Sequence, residues 1–175
     1  MRKILGTLLL TLLLGWAGQA AAGGFTFGQW RVSTTADGHF SYAATVNRRG
    51  EVFGEFCAFK SGSCHWLLAV HTPCRFGDVY PVLANSATGA TPIAIFCIGA
   101  IGRHTFGMAL MNRRKLEASI EHARRVGFAV PLGGGGFAFA HFALLGRLQA
   151  TALLQQTFAA QIEQRRRIRS RETRL

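Results

Sequence analysis

The sequence predicts a mainly β fold, an antiparallel β-sandwich or barrel-like domain with one short amphipathic helix and a C-terminal helix. Three observations predict it. From Phe25 to about Ile101, short runs rich in β-branched and aromatic residues alternate with turn residues at the spacing of a sandwich or barrel. Two later segments, 113–126 and 147 to about 164, space their apolar residues at helical period instead. Four cysteines, Cys57, Cys64, Cys74 and Cys97, fall inside the β-rich part, as in a domain braced by disulfides in an oxidising compartment.

The elements follow in order. Residues 1–22 read as a secretory signal peptide: Arg2 and Lys3 supply the positive start, Ile4 to Ala17 the apolar run, and Ala20-Ala21-Ala22 a small-residue cleavage site. The apolar run is shorter than the roughly twenty residues a spanning helix needs. No cysteine precedes Cys57, so no lipid attachment is expected beside the leader. The mature chain is therefore expected in the periplasm or outside the cell, with no transmembrane segment. What remains is one domain's worth of chain, a single β-rich domain over 25–164 followed by a disordered arginine-rich tail over 165–175.

Within the domain, 29–35 reads as a first strand carrying Trp30 and Val32, and Ala36-Asp37-Gly38 as a turn. The second strand is 39–47, with Phe40, Tyr42, Ala44 and Val46 on one face. Arg48-Arg49-Gly50 turns the chain into a third, 51–59, and the three are expected to form an antiparallel meander. Residues 64–71, with Trp66, Leu67, Leu68 and Val70, are expected to make a buried strand, and 72–78 is irregular. Two uncharged strands, 79–84 and 93–98, divided by a loop over 85–91, are expected to run through the core. The helix over 113–126 places Leu116, Ile120 and Ala123 on one face and Glu121 one turn before Arg125 as an ion pair. A hairpin of 128–132 and 137–144 follows across Gly133 to Gly136, and the last helix sets Leu148, Ala152, Gln155, Ala159 and Ile162 along its stripe, with Leu154 and Phe158 beside them.

Candidate chemistry centres on Cys57, Cys64, His65, His71 and Cys74. Their spacing lacks the paired C-x2-C knuckles of structural zinc sites, so no metal is expected. Four cysteines allow three pairings; spacing leans toward Cys57 with Cys64, flanking a turn, and Cys74 with Cys97, closing a compact segment. A Cys–His nucleophile needs one unpaired thiol, which an even count disfavours. There is no G-x-S-x-G turn, no recommended carboxylate pair among the scattered acids, and no phosphate loop in Gly133 to Gly136, since a strand pattern follows it. No catalytic residue and no cofactor is expected.

The charge is lopsided. Twenty Lys and Arg stand against 8 Asp and Glu, for a formal net charge of +12, and Arg165, Arg166, Arg167, Arg169, Arg171 and Arg174 crowd into the tail. Such a surface favours anionic partners, and clustered arginines add roughly 1 kcal/mol each near an anionic membrane; export argues against nucleic acid.

The order of features resembles the bacterial invasion-associated locus B family of small exported proteins. The residues that carry the resemblance are Phe27-Gly28-Gln29-Trp30-Arg31-Val32, the cysteine-bearing middle with Cys97 on an apolar strand, the helix-then-strand at 116–126, and Ala143-Leu144-Leu145-Gly146-Arg147-Leu148-Gln149-Ala150 for the family's Ser-Leu-x-Gly-Phe-x-x-Ala ending. Ser33 or Thr34 stands where a cysteine often follows the tryptophan, and Arg147 stands in place of the phenylalanine. The resemblance implies a β-sandwich-like periplasmic or secreted protein without enzymatic activity, acting in envelope or host interaction. The expected function is thus binding, to an envelope or extracellular protein or an anionic surface. Two alternatives stand beside it: an envelope enzyme using a Cys/His site, and an adhesion module using the arginine tail.

Overall fold

The computed structural model describes residues 24–132 and 134–172, with side chains through residue 168. The leader expected over 1–22, Gly133 and Arg174 lie outside the described residues.

The expected meander forms as β2 (Trp30–Thr34), β3 (Phe40–Val46) and β4 (Val52–Ala58), preceded by a short β1 (Phe25–Phe27). Each strand pairs antiparallel with the next. Gly50 takes the left-handed conformation, φ +77°, that the turn between β3 and β4 requires. β5 (Ser63–Val70) pairs with β4 and sets Cys64 directly opposite Cys57. The irregular segment expected over 72–78 then crosses to β6 (Val79–Ser86).

β6 and β7 (Gly89–Gly102) are longer than the sequence pattern indicates. The loop expected over 85–91 shrinks to Ala87 and Thr88, because the Ser86 hydroxyl holds this turn, accepting from the Thr88 N–H (3.3 Å) and donating to the Ser119 carbonyl (2.6 Å). Neither strand runs wholly through the core: Val82, Ala84, Ile93 and Ile95 are buried, while Val79, Leu83 and Ile98 face solvent. β8 (Thr105–Leu110) carries no clear strand signal, since Gly107 and Ala109 lower β-propensity. Tertiary packing makes it a strand, because it fills the place between β5 and β7 and buries Met108 and Leu110.

α1 (Arg113–Ile120) stops well before residue 126, and Arg125 opens β9 (Arg125–Pro131). The expected Glu121–Arg125 helical pair therefore does not form. The helix end is held by a residue distant in sequence: Arg147 Nη2 donates to the carbonyls of Ile120 and Glu121, at 3.3 Å each, satisfying acceptors that a helix terminus leaves open. β9 and β10 (Phe137–Ala143) make the expected hairpin. α2 (Arg147–Glu172) follows and continues through residues expected to be a disordered tail. Its buried stripe is Ala150, Thr151, Leu154 and Phe158; Leu148, Ala152, Gln155 and Ala159, expected along the stripe, are exposed, and Leu154 and Phe158, expected beside it, belong to it.

Among the described residues, all ten strands belong to one antiparallel sheet, in the order β1-β2-β3-β4-β5-β8-β7-β6-β9-β10. The sheet curls into a barrel-like form around Phe53, whose ring stacks on Trp66 (centroids 5.0 Å apart) and meets Trp30 (5.9 Å), Phe128 (5.0 Å) and Phe142 (5.6 Å). Those rings come from β2, β4, β5, β9 and β10, so strands far apart in the sheet order share one core. Ser41, Ala43 and Thr45 line the inner face of β3; the face shared by Phe40, Tyr42, Ala44 and Val46 is the outer one. Both helices approach the concave side. Gln155 of α2 donates to Glu55 Oε2 (3.3 Å), and the Trp66 indole donates to Glu117 of α1 (3.1 Å).

Two disulfides brace this frame, Cys57–Cys64 between β4 and β5, and Cys74–Cys97, which clamps the 71–78 crossing onto β7. No described helix is long and apolar enough to cross a membrane.

Candidate anion-binding cleft

The two end strands of the sheet, β1 and β10, do not pair with each other. Where they approach, the joint is made by single bonds: the Trp30 indole donates to the Ala143 carbonyl (3.0 Å) and the Gln29 N–H to the Leu145 carbonyl (3.3 Å). Beside this joint a cleft of about 900 Å³ opens, lined by Gln29, the β3–β4 turn and the outer side of β10. Arg48, Arg49, Arg125 and His141 stand on its walls, with no carboxylate among its described lining residues.

The turn is built to present one of those arginines. Asn47 Oδ1 accepts from the N–H groups of Arg49 (2.9 Å) and Glu51 (3.0 Å), and its amide donates to Glu51 Oε2 (2.7 Å). Glu51, its side chain only 2% exposed, pairs with Arg49 at 2.8 Å. Arg49 then reaches across and donates from Nη2 to the Phe139 carbonyl of β10 (2.6 Å). Burial, the largest single influence on Glu51, pushes its carboxyl up. Hydrogen bonds from Asn47 and Arg49, the Arg49 charge and the His71 N–H together outweigh burial and hold it below the ordinary carboxylate range. The buried negative charge thus stays ionised and fixes Arg49.

On the opposite wall, His141 lies across from Gly127 in the β9–β10 register. A Cβ on Gly127 would stand 2.9 Å from His141 Cδ2, so the missing side chain makes room for the ring. A second cleft, of about 570 Å³, shares Arg125 and His141 and adds His122 and Arg124. The cationic surface is therefore continuous around the β9–β10 end. Phe139, 55% exposed, gives it an apolar rim.

The residues singled out by sequence fall elsewhere. Cys57, Cys64, Cys74 and Cys97 are all oxidised in the pairings spacing favoured, so no sulfur is a thiolate for nucleophilic attack. His65 sits on β5 next to Cys64 in sequence, and strand alternation turns its exposed side chain away from the inward-facing sulfur. Glu55, Cys57 and Cys64 bring three ligand-type atoms within 4.8 Å of one another, but bridged sulfurs offer no metal-binding thiolates. Of the tail arginines, Arg165 lies over the Phe59 ring, 4.3 Å from its centroid, and joins Arg166, His39 and Lys60 around a cleft of about 460 Å³. Arg167 pairs with Glu163; the Arg169 and Arg171 side chains and Arg174 lie outside the described residues.

Fold and cleft together define a disulfide-braced, barrel-like β protein with a cationic cleft at the joint of its sheet. Comparison with protein-family models, with curated proteins and with solved structures gave no match.

Proposed function

We propose that this chain is an exported, non-enzymatic binding protein, periplasmic or secreted, that takes an anionic envelope or extracellular partner into the cleft beside β10. The observation that carries the reading is the convergence of Arg48, Arg125 and His141, together with the Glu51-paired Arg49, on one cleft that has no carboxylate among its described lining residues. Pre-positioning matters here: Arg49 is already ordered by Glu51 and the Phe139 carbonyl, so less freedom is lost when a partner binds. The leader and the two disulfides support export. Membership of the invasion-associated locus B family, and with it a role in envelope or host interaction, stays a proposal supported by the order of features alone.

The test is binding to immobilised polyglutamate and to a sulfated polysaccharide across a salt series, for the native chain and for Arg48→Glu with Arg125→Glu. The expected result is salt-sensitive binding weakened about tenfold or more by the double reversal. Equal binding by the reversed variant overturns the cleft as the site.

A second reading is favoured by the Arg165, Arg166, His39 and Lys60 cluster around Phe59, which sets two tail arginines beside Lys60 and His39 of the barrel for an anionic surface. Deleting 165–175 separates the two. Loss of binding to anionic vesicles with retained polyglutamate binding assigns the vesicles to the tail and the polymer to the cleft.

A further inference from the structure

Hydrogen-bond parity shows what β10 presents to the cleft. The hairpin is closed by Leu132 N–H to the Gly136 carbonyl (2.8 Å), and at its other end the Leu144 N–H meets the Arg124 carbonyl (2.9 Å). With the register Ala138↔Val130, Ala140↔Phe128 and Phe142↔Val126, those even-numbered residues of β10 bond to β9. Residues of the other parity, Phe137, Phe139, His141 and Ala143, direct their N–H and C=O groups away from β9, toward the joint. Two of these carbonyls are engaged, Phe139 by Arg49 and Ala143 by the Trp30 indole. Between them His141 keeps both main-chain groups outside any strand pairing, and the Phe139 N–H is likewise outside it. An edge strand with such free groups is a template for another strand.

We propose that the partner is an extended acidic peptide segment that adds to β10 as a further strand, bonding to the main chain of His141 and Phe139. The inference rests on the anionic-partner reading and deepens it. Main-chain bonds supply affinity in this mode, and side chains next to the edge supply selection. Phe139 and His141 face outward on β10, and Arg125 stands on the same face of β9 opposite Ala143, so outward-facing guest side chains meet an aromatic ring and cations. A carboxylate side chain at alternate positions satisfies the cations. Arg48, from the β3–β4 turn, closes the other wall.

The first comparison varies the peptide rather than the protein. A capped peptide of alternating glutamate and valine, as long as β10, is compared with the same peptide N-methylated at alternate residues in each of the two phases, and with a sulfated polysaccharide. The expected result is that methylation in one phase weakens binding about tenfold or more while the other phase binds normally, because only every second guest N–H bonds to β10. Equal binding of all three peptides, with binding still lost in Arg48→Glu/Arg125→Glu, overturns strand addition and leaves the anionic cleft standing. No peptide binding together with polysaccharide binding overturns the peptide class; binding of neither overturns the cleft reading itself. A protein that sediments as a dimer and binds no peptide gives the edge to a second copy and also overturns the proposal. As an independent check, His141→Pro removes the edge N–H without touching a β9 pair, and it should weaken the peptide more than His141→Ala does.

Discussion

Two buried glutamates carry opposite signs of proton linkage. Glu51 has its carboxyl held below the ordinary range by Asn47 and Arg49 against the pull of burial. Its contribution to stability is present above the ordinary carboxylate pKa and lost as pH falls through the lowered value. Glu55, 1% exposed, is raised, chiefly by burial, with the Arg113 charge and the Gln155 hydrogen bond opposing. Arg113 Nη1 meets Glu55 Oε1 at 2.8 Å as an ion pair, outside hydrogen-bond alignment. The stability that protonated Glu55 contributes is present at acid pH and lost as pH rises through the raised value. Glu51→Gln is accordingly expected to cost about 1–3 kcal/mol near neutral pH, the deficit shrinking in acid. Glu55→Gln is expected to be neutral or stabilising near neutral pH, because Arg113 keeps Glu117 at 2.9 Å. Urea unfolding of both variants at neutral and acid pH measures this, and a large neutral-pH loss in Glu55→Gln would refute the assignment.

At the scale of elements, the hairpin of β9 and β10 matters most, because it carries both the core Phe128 and Phe142 and the outward His141. Gly127→Val is expected to displace the His141 ring, given the 2.9 Å approach of even a Cβ. Polyglutamate binding should fall severalfold in that variant while its melting temperature changes less than in Phe142→Ala, which opens a core cavity costing about 3–5 kcal/mol. Much of this architecture is legible in residues. Ala36-Asp37-Gly38 and Arg48-Arg49-Gly50 announce the turns around β3, and the alternation of 137–142 announces β10. What is not legible is set by tertiary packing. β8 is chosen by its place between β5 and β7, and α1 is cut short because Arg147 caps it and Arg125 is taken by the sheet. The cleft was illegible for a related reason: Arg49 and the Phe139 carbonyl it binds lie 90 positions apart, and no local spacing encodes that meeting. The surplus of arginine is visible in the composition, but it is densest in the tail and not at the cleft.

For the whole molecule, the two disulfides should differ in worth. Each joins one fully buried and one half-buried sulfur, so truncation costs are similar. Cys57–Cys64 closes a separation of 7 on strands already paired, whereas Cys74–Cys97 closes 23 and pins a crossing with no ladder of its own. Loop entropy alone favours the longer bridge by about 1 kcal/mol. The pair Cys74→Ala/Cys97→Ala is expected to lower Tm more than Cys57→Ala/Cys64→Ala, and the reverse order in thermal melts would show that the crossing is held by other contacts.

The bond from the Trp30 indole to the Ala143 carbonyl spans 113 positions, and it sets a timetable for folding. A chain emerging from its amino end exposes Trp30, Phe53 and Trp66 early, and their enclosure waits for Phe128 and Phe142. The meander can assemble first because its contacts are local, but the joint, and the cleft beside it, must wait for β10 to be in place. Until then the partly built sheet offers open edges on both sides, a state that favours aggregation and in which a chaperone would find its substrate.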